Sequence, residues 1–193
     1  LNILVLLHRE VYGKNVYGAN DNASGTGVML AVAERLAKEP LKNTEVWVAA
    51  TGCEEAGLVG MLDLLKRHGQ ELQDALIVNL DSVGVGELKY ITGEGMVKAF
   101  SADPELLMFS AEVVRENPEL PLAPREHRGG LATDATGALI NGYRAMSIIG
   151  LDEDGIVPNW HWETDVVENL IEKNLSDAET FVDLLLKKID HEK

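Results

Sequence analysis

Glu54 and Glu55 stand side by side in the stretch AATGCEEAGLVG, Ala49 to Gly60, straight after an apolar run that reads as a buried strand. Like charges this close raise each other's pKa unless something positive holds them. Residues able to share a site with the pair are scattered along the chain but similarly placed. His8 follows the apolar run Asn2–Leu7, and Asp21 sits in YGANDNASGTG just before a helical pattern. Asp81 ends the apolar run of VNLDSVG, and His161 lies in PNWHWETD. In open α/β sheets, sites lie beyond the carboxyl ends of the strands. Two imidazoles and several carboxylates gathered there suit a divalent metal, zinc first, with manganese or cobalt as further candidates.

Taken singly, each residue has a plainer role. Asp21 suits a helix cap, Asp81 a turn before Gly84, and His8 or His161 a structural histidine. The glycine-rich segment around Asp21 is not a phosphate cradle, because it lacks the Gly-Lys-Ser/Thr ending. Tight turns and close backbone approach account better for its glycines. The joint pattern of these six residues is what the plainer roles leave unexplained.

The elements that must position them follow from periodicity. Ala23–Lys38 reads as a helix with Met29, Val32, Ala33 and Leu36 on one face, and Leu58, Met61, Leu62 and Leu65 mark a second that stops near Gly69. Strands are predicted at Asn2–Leu7, Thr44–Ala50, Ala75–Leu80, Leu88–Thr92 and Tyr143–Ile149. Asp103-Pro104-Glu105 has the form of an N-cap, a first-turn proline and an acid suited to the helix dipole. A last helix carries Ala178, Phe181, Val182, Leu185 and Ile189 inward. Strands alternating with helices predict an α/β fold with a mostly parallel, mixed sheet.

The chain has 193 residues, of which 46% are hydrophobic, enough for a single domain over 1–193 with a sizeable core. A formal charge of −15 argues against nucleic acid as a partner. The absence of an eighteen-residue apolar run argues against a membrane span in this chain. The single cysteine, Cys53, excludes an internal disulfide and a cysteine zinc site. No signal peptide is visible, the chain begins at Leu1, and it reads as an excerpt or processed product of a longer protein whose compartment is open.

The ordered motifs HRE, GANDNASG, CEEAGLVG, NLDSVG and WHWETDVVENL resemble those of the co-catalytic zinc aminopeptidases of clan MH. That group holds leucyl-type aminopeptidases, glutamate-carboxypeptidase relatives and glutaminyl cyclases. The resemblance implies a three-layer α/β/α sandwich without the usual N-terminal helix and first strands, peptide substrates, and two zinc ions. It implies that His8, Asp21 and Asp81 hold one ion while Asp21, Glu55 and His161 hold the other, with Asp21 bridging. Glu54 is then the unligated general base and acid, so that the two adjacent glutamates divide the labour. It further implies a cis peptide between Asp21 and Asn22.

Departures from the pattern are visible too. Glu10 stands where the family usually has an aspartate buttressing the site, and Ala135 follows Asp134 where a histidine is common. Gly129-Gly130-Leu131 offers no tyrosine for an oxyanion. Asp134 remains suited to partnering a ligand from behind. His68, His127 and His191 are read as solvated, Trp160 and Trp162 suit either a site wall or the core, and Glu119–Leu131 is read as a pocket loop. Two rival readings stand beside the aminopeptidase: a glutaminyl-cyclase-like acyltransferase, and a non-catalytic binding module on the same fold.

In the strand order that the resemblance implies, Thr44–Ala50 lies at the edge of the sheet, and a long apolar edge invites pairing with another chain. Sedimentation velocity at rising concentration should therefore show a homo-oligomer formed through this edge. A monodisperse monomer at high concentration counts against it.

Overall fold

The computed structural model describes Val11, residues 15–127 and residues 130–193; the strand expected at Asn2–Leu7, together with His8 and Glu10, lies outside them. In chain order the described elements are helices α1 (Gly25–Lys38) and α2 (Val59–His68), strands β1 (Leu76–Asp81), β2 (Glu87–Glu94) and β3 (Phe100–Ser101), helix α3 (Pro104–Glu116), strand β4 (Ala123–Glu126), helix α4 (Asp134–Ile140), strand β5 (Arg144–Leu151) and helix α5 (Glu172–Glu192). A tight π-type turn, Ala19–Ser24, leads into α1.

β1 lies parallel to β5, in register from Leu76↔Arg144 to Asp81↔Ile149. On its other side β5 runs antiparallel to β2, whose far edge carries β3 antiparallel and β4 parallel. The described sheet is thus mixed. Alternate residues of each strand serve opposite faces, as a pleated strand requires. Met146 and Ile148 of β5, with Leu88 and Tyr90 of β2, pack against Val28 and Val32 of α1, Leu106 and Phe109 of α3, and Phe181 and Leu185 of α5. Ala145 of β5 and Ile77 of β1 turn the other way, against Met61 and Leu65 of α2 and Ala135 and Ala138 of α4. Helices on both faces make the three-layer α/β/α arrangement that the periodicity and the resemblance imply.

Thr44–Ala50 joins no ladder with the described strands, and Trp47 and Val48 are about half exposed; the strand expected at Asn2–Leu7 lies outside the described residues. Two details differ from expectation. β4 forms inside the stretch read as a loop. Its sequence Ala-Pro-Arg-Glu shows no alternation and is mostly exposed, which is what an edge strand tolerates. The short helix α4 is set by its start: Thr133 and Thr136 form a reciprocal cap, a signature the apolar pattern does not carry.

The start of α3 follows the sequence closely. The Asp103 carboxylate accepts from the amides of Glu105 at 2.9 Å and Leu106 at 3.1 Å, and from Arg144 Nε at 2.7 Å. Burial raises the pKa of Asp103, but Arg144 and the two amides outweigh burial and hold it below the usual value. Such a group adds stability above its unfolded pKa and loses that contribution as pH falls through the folded one. Asp103→Ala should therefore lower stability in urea at neutral pH by about 1–2 kcal/mol, the range for a lost cap. The gap to the wild type should narrow in acid below roughly pH 4. An unchanged urea midpoint at neutral pH would contradict this.

Candidate metal centre

The segment that carries Asp21 is laced to the carboxyl end of β1 by neutral side chains. Asn22 Nδ2 donates to Leu80 O at 2.8 Å, while Asn22 Oδ1 accepts from Ser82 N at 3.1 Å and Gly25 N at 3.0 Å. Asn20 Oδ1 accepts from Gly84 N at 2.8 Å, and Ser24 Oγ accepts from Val83 N at 3.0 Å. Gly25 is required here, because a Cβ would run into Asn22 Oδ1 and Leu80 O. From the other side, the buried carboxylate of Asp165 accepts from the amides of Asn20 at 2.5 Å and Asp21 at 3.2 Å. The Asp21–Asn22 peptide is cis, as the resemblance implies.

These bonds bring Asp21 to His161 and Glu55. His161 Nε2 lies 2.5 Å from Glu55 Oε1 and 3.3 Å from Asp21 Oδ2. The hydrogen bonds to Asp21 and Glu55 raise the imidazole pKa to about 9, against the opposing pull of burial. Glu54 faces elsewhere. Burial, then the charges of Asp81, Glu55, Asp134 and Asp21, push its carboxyl up to about 8, and every one of these influences raises it. Asp81, the last residue of β1, is pushed up to about 7 by burial and by Asp21, against a hydrogen bond from Ser82 Oγ. The positive partner that the glutamate pair demands is thus supplied to Glu55 by His161, whereas Glu54, among the described residues, meets only burial and like charge.

Backbone strain gathers at the same place. Among the described non-glycine residues, left-handed φ values occur at Cys53 (56°), before Glu54, at Leu58 (61°), the N-cap of α2, at Ser82 (49°), after Asp81, and at Asn159 (62°) and His161 (59°). Positions of this kind persist where surrounding structure over-determines them, and they cluster at functional sites.

Of the residues singled out from sequence, Asp21, Glu55 and His161 converge directly, while Asp81, Glu54 and Asp134 lie within electrostatic reach. Asp134, the first residue of α4, is buried; Thr51 Oγ1 donates to its Oδ2, and its Oδ1 has no hydrogen-bond partner among the described residues. Burial pushes its carboxyl up, with the Thr51 bond opposing. His8 and Glu10 lie outside the described residues, so the ion assigned to His8, Asp21 and Asp81 has no geometry here. His127 is not solvated as expected: it is half-buried with Nε2 3.0 Å from Gly155 O, because the turn at Gly155 packs over the end of β4. Trp160 is 40% exposed and Trp162 57% exposed, so both are surface residues beside His161; Trp160 lies 4.3 Å from the imidazole, ring centre to ring centre. Sequence reasoning missed Asp165, Asn20 and Asn22. The signal was available, since asparagines on both sides of an aspartate before a helix are suited to tying backbone groups together.

Comparison with known proteins gives the family and the fold. The profile of Peptidase family M28 matches residues 5–185, and the chain belongs to that family. It is 35% identical over 103 residues to the alkaline phosphatase isozyme conversion protein of Escherichia coli K12, a match covering 46% of this chain and 30% of that protein. The structure superposes on BSAP, a zinc aminopeptidase from Bacillus subtilis, with a TM-score of 0.75 and 25% identity, over 90% of this chain and 43% of the other. It shares its fold with a glutaminyl cyclase from an Acidobacteriales bacterium, at TM-score 0.69 and 16% identity, over 93% of this chain and 64% of the cyclase. The chain therefore spans under half the length of the Bacillus enzyme and under a third of the Escherichia coli protein. Among the described residues, no helix is long and apolar enough to cross a membrane.

The donor set fits zinc. One imidazole nitrogen and two carboxylate oxygens, from His161, Asp21 and Glu55, all lie within 4.8 Å of one another. Tetrahedral zinc with bonds of about 2.0–2.2 Å holds neighbouring donors roughly 3.3–3.6 Å apart, so small side-chain movements suffice. A dication would also relieve the repulsion that acts on Glu54 and Asp81.

These shifts have a direction that can be measured. Glu54, Asp81 and His161 all hold protons more tightly in the folded, metal-free protein than when unfolded. Their stabilising contributions are complete below the unfolded values and are lost as pH rises through about 7 for Asp81, about 8 for Glu54 and about 9 for His161. Chelator-treated protein should thus be less stable at pH 9 than at pH 6, and zinc should remove most of the difference. Calorimetry in buffers of different ionisation enthalpy should show protons released as zinc binds. Zinc binding without proton release at pH 7 would overturn the assignment.

Proposed function

We propose that the chain is the catalytic domain of a zinc-dependent exopeptidase, an aminopeptidase that removes N-terminal residues from peptides by hydrolysis. The observation that carries this reading is the parting of two adjacent glutamates, with Glu55 turned to His161 and Asp21 while Glu54 stays half-buried and has no cationic partner among the described residues. Membership of Peptidase family M28 and the likeness to a zinc aminopeptidase support it.

Asp21, Glu55 and His161 would hold one zinc, and His8, Asp21 and Asp81 a second. Zinc, when bound, polarises the scissile carbonyl and lowers the pKa of water. Glu54 accepts a proton from the attacking water and delivers it to the departing amine nitrogen. The positive charge held by its neighbours brings its pKa down from the value of the cation-free site, so that it can begin the cycle as a base. Asp165 keeps Asp21 in place by accepting from its backbone amide, Asn22 ties the next residue to the end of β1, and Asp134 steadies the site from behind through its bond from Thr51.

The cyclase reading shares much of this site, and Trp160, its ring tilted at 32° over His161, offers an aromatic wall suited to either chemistry. A free-amine aminoacyl arylamide and an N-terminal glutaminyl peptide, assayed in parallel, separate the two.

Glu54→Gln keeps the size and hydrogen-bonding reach of the side chain but cannot shuttle a proton at neutral pH. This variant should retain zinc and fold normally while turnover falls by roughly 10²–10⁴-fold with little change in substrate affinity. Glu55→Gln should instead lose zinc readily to a chelator. Equal zinc loss from both variants would remove the division of labour, and full activity in Glu54→Gln would sink the mechanism.

A further inference from the structure

Glu94, at the end of β2, is 1% exposed and has no place in the chemistry above. Its carboxyl group touches two buried hydroxyls. Ser147 Oγ lies 3.0 Å from Oε1, and Thr133 Oγ1 lies 3.0 Å from Oε2 and 3.3 Å from Oε1. The two hydroxyls lie 2.8 Å from each other. The three groups therefore form a closed ring with three contacts.

Counting protons decides the state of that ring. Each hydroxyl owns one proton, so an ionised Glu94 leaves only two protons for three contacts, with two oxygens facing each other bare. A protonated Glu94 supplies the third: Glu94 donates to Thr133, Thr133 to Ser147, and Ser147 back to Glu94. The remaining lone pairs are filled as well. Thr133 Oγ1 accepts from the amide of Ala135 at 3.1 Å, and Ser147 Oγ accepts from Asn79 Nδ2 at 3.3 Å. Burial pushes the carboxyl up to about 7, with the Ser147 and Thr133 bonds opposing and the Asp81 charge adding to the rise.

Thr133 is the N-cap of α4 and Asp134 its first residue. We propose that Glu94 is a positioning residue, held as the neutral acid, whose ring with Thr133 and Ser147 fixes the start of α4 and so holds Asp134 against the metal centre. Glu94 also spares the site another charge, since a sixth carboxylate beside Asp81 would add to the repulsion there. This inference rests on the metallopeptidase reading of that centre.

Glutamine mimics a protonated carboxyl, with one donor and one acceptor end, whereas leucine fills the space without either. Three measurements on the zinc-loaded protein test the proposal. The infrared difference spectrum between wild type and Glu94→Gln at pH 6 should show the carbonyl stretch of one protonated carboxyl lost. Glu94→Gln should keep zinc affinity and kcat on an aminoacyl arylamide within about twofold. Glu94→Leu should lose roughly 10–100-fold in zinc affinity or kcat, the range for partners that orient a metal site, with KM little changed. Should Glu94→Leu fail to fold, Thr133→Val breaks the same ring while keeping the shape of the side chain. Absence of the carboxyl band, or a Gln variant as damaged as the Leu variant, overturns the neutral positioning role. A wild type that binds no zinc overturns the metallopeptidase reading itself. A wild type that binds zinc beside a Leu or Val variant with equal affinity and turnover overturns only the part assigned to Glu94.

Discussion

Asp21, Glu55, Asp81 and Asp134 lie close enough for their charges to act on Glu54, and burial raises the cost of ionising it further. Charges gathered in a partly dry cleft repel strongly, because the effective dielectric there is far below that of water. His161 answers two of the carboxylates. The others are left to share protons or to take up a cation, and that choice governs the stability and the chemistry of this end of the sheet. A divalent ion meets the need compactly, since two positive charges enter at one point.

The scaffold that holds these acids is built mainly from groups that add no charge. Asn20, Asn22 and Ser24 tie the segment before α1 to the amides and carbonyl at the end of β1. Lysines in the same places could not accept from those amides, and their charge would compete with a metal for the carboxylates. Asp165 is the exception, and its charge is taken up by two backbone amides rather than directed at the acids. Glu94 follows the same economy on the opposite flank, with two hydroxyls as its partners.

Much of this was legible in the sequence because it rests on local patterns. Strand ends followed by Glu54-Glu55 or Asp81, and the cap at Asp103, are decided by neighbours within a few residues. The convergence of Asp21, Glu55 and His161 became legible only through the order of motifs, since no local rule ties residues so far apart. Asp165 and Glu94 were invisible for a different reason. Each acts through hydrogen bonds to groups distant in sequence, and an isolated aspartate or glutamate looks the same on a surface as in a core.

The bond from Asn20 to Asp165 spans 145 positions, and that from Glu55 to His161 spans 106. Closing such long loops comes late, after local helices and turns have formed. During synthesis at about 5–20 residues per second, Asp21 would leave the ribosome roughly 7–30 s before Asp165 does. For that interval the early acids have neither the imidazole nor the carboxylate that later grips their loop. The metal-binding arrangement of Asp21, Glu55 and His161 thus cannot exist until His161 has emerged, more than a hundred residues after Glu55, and until then the early acids stand without their partners.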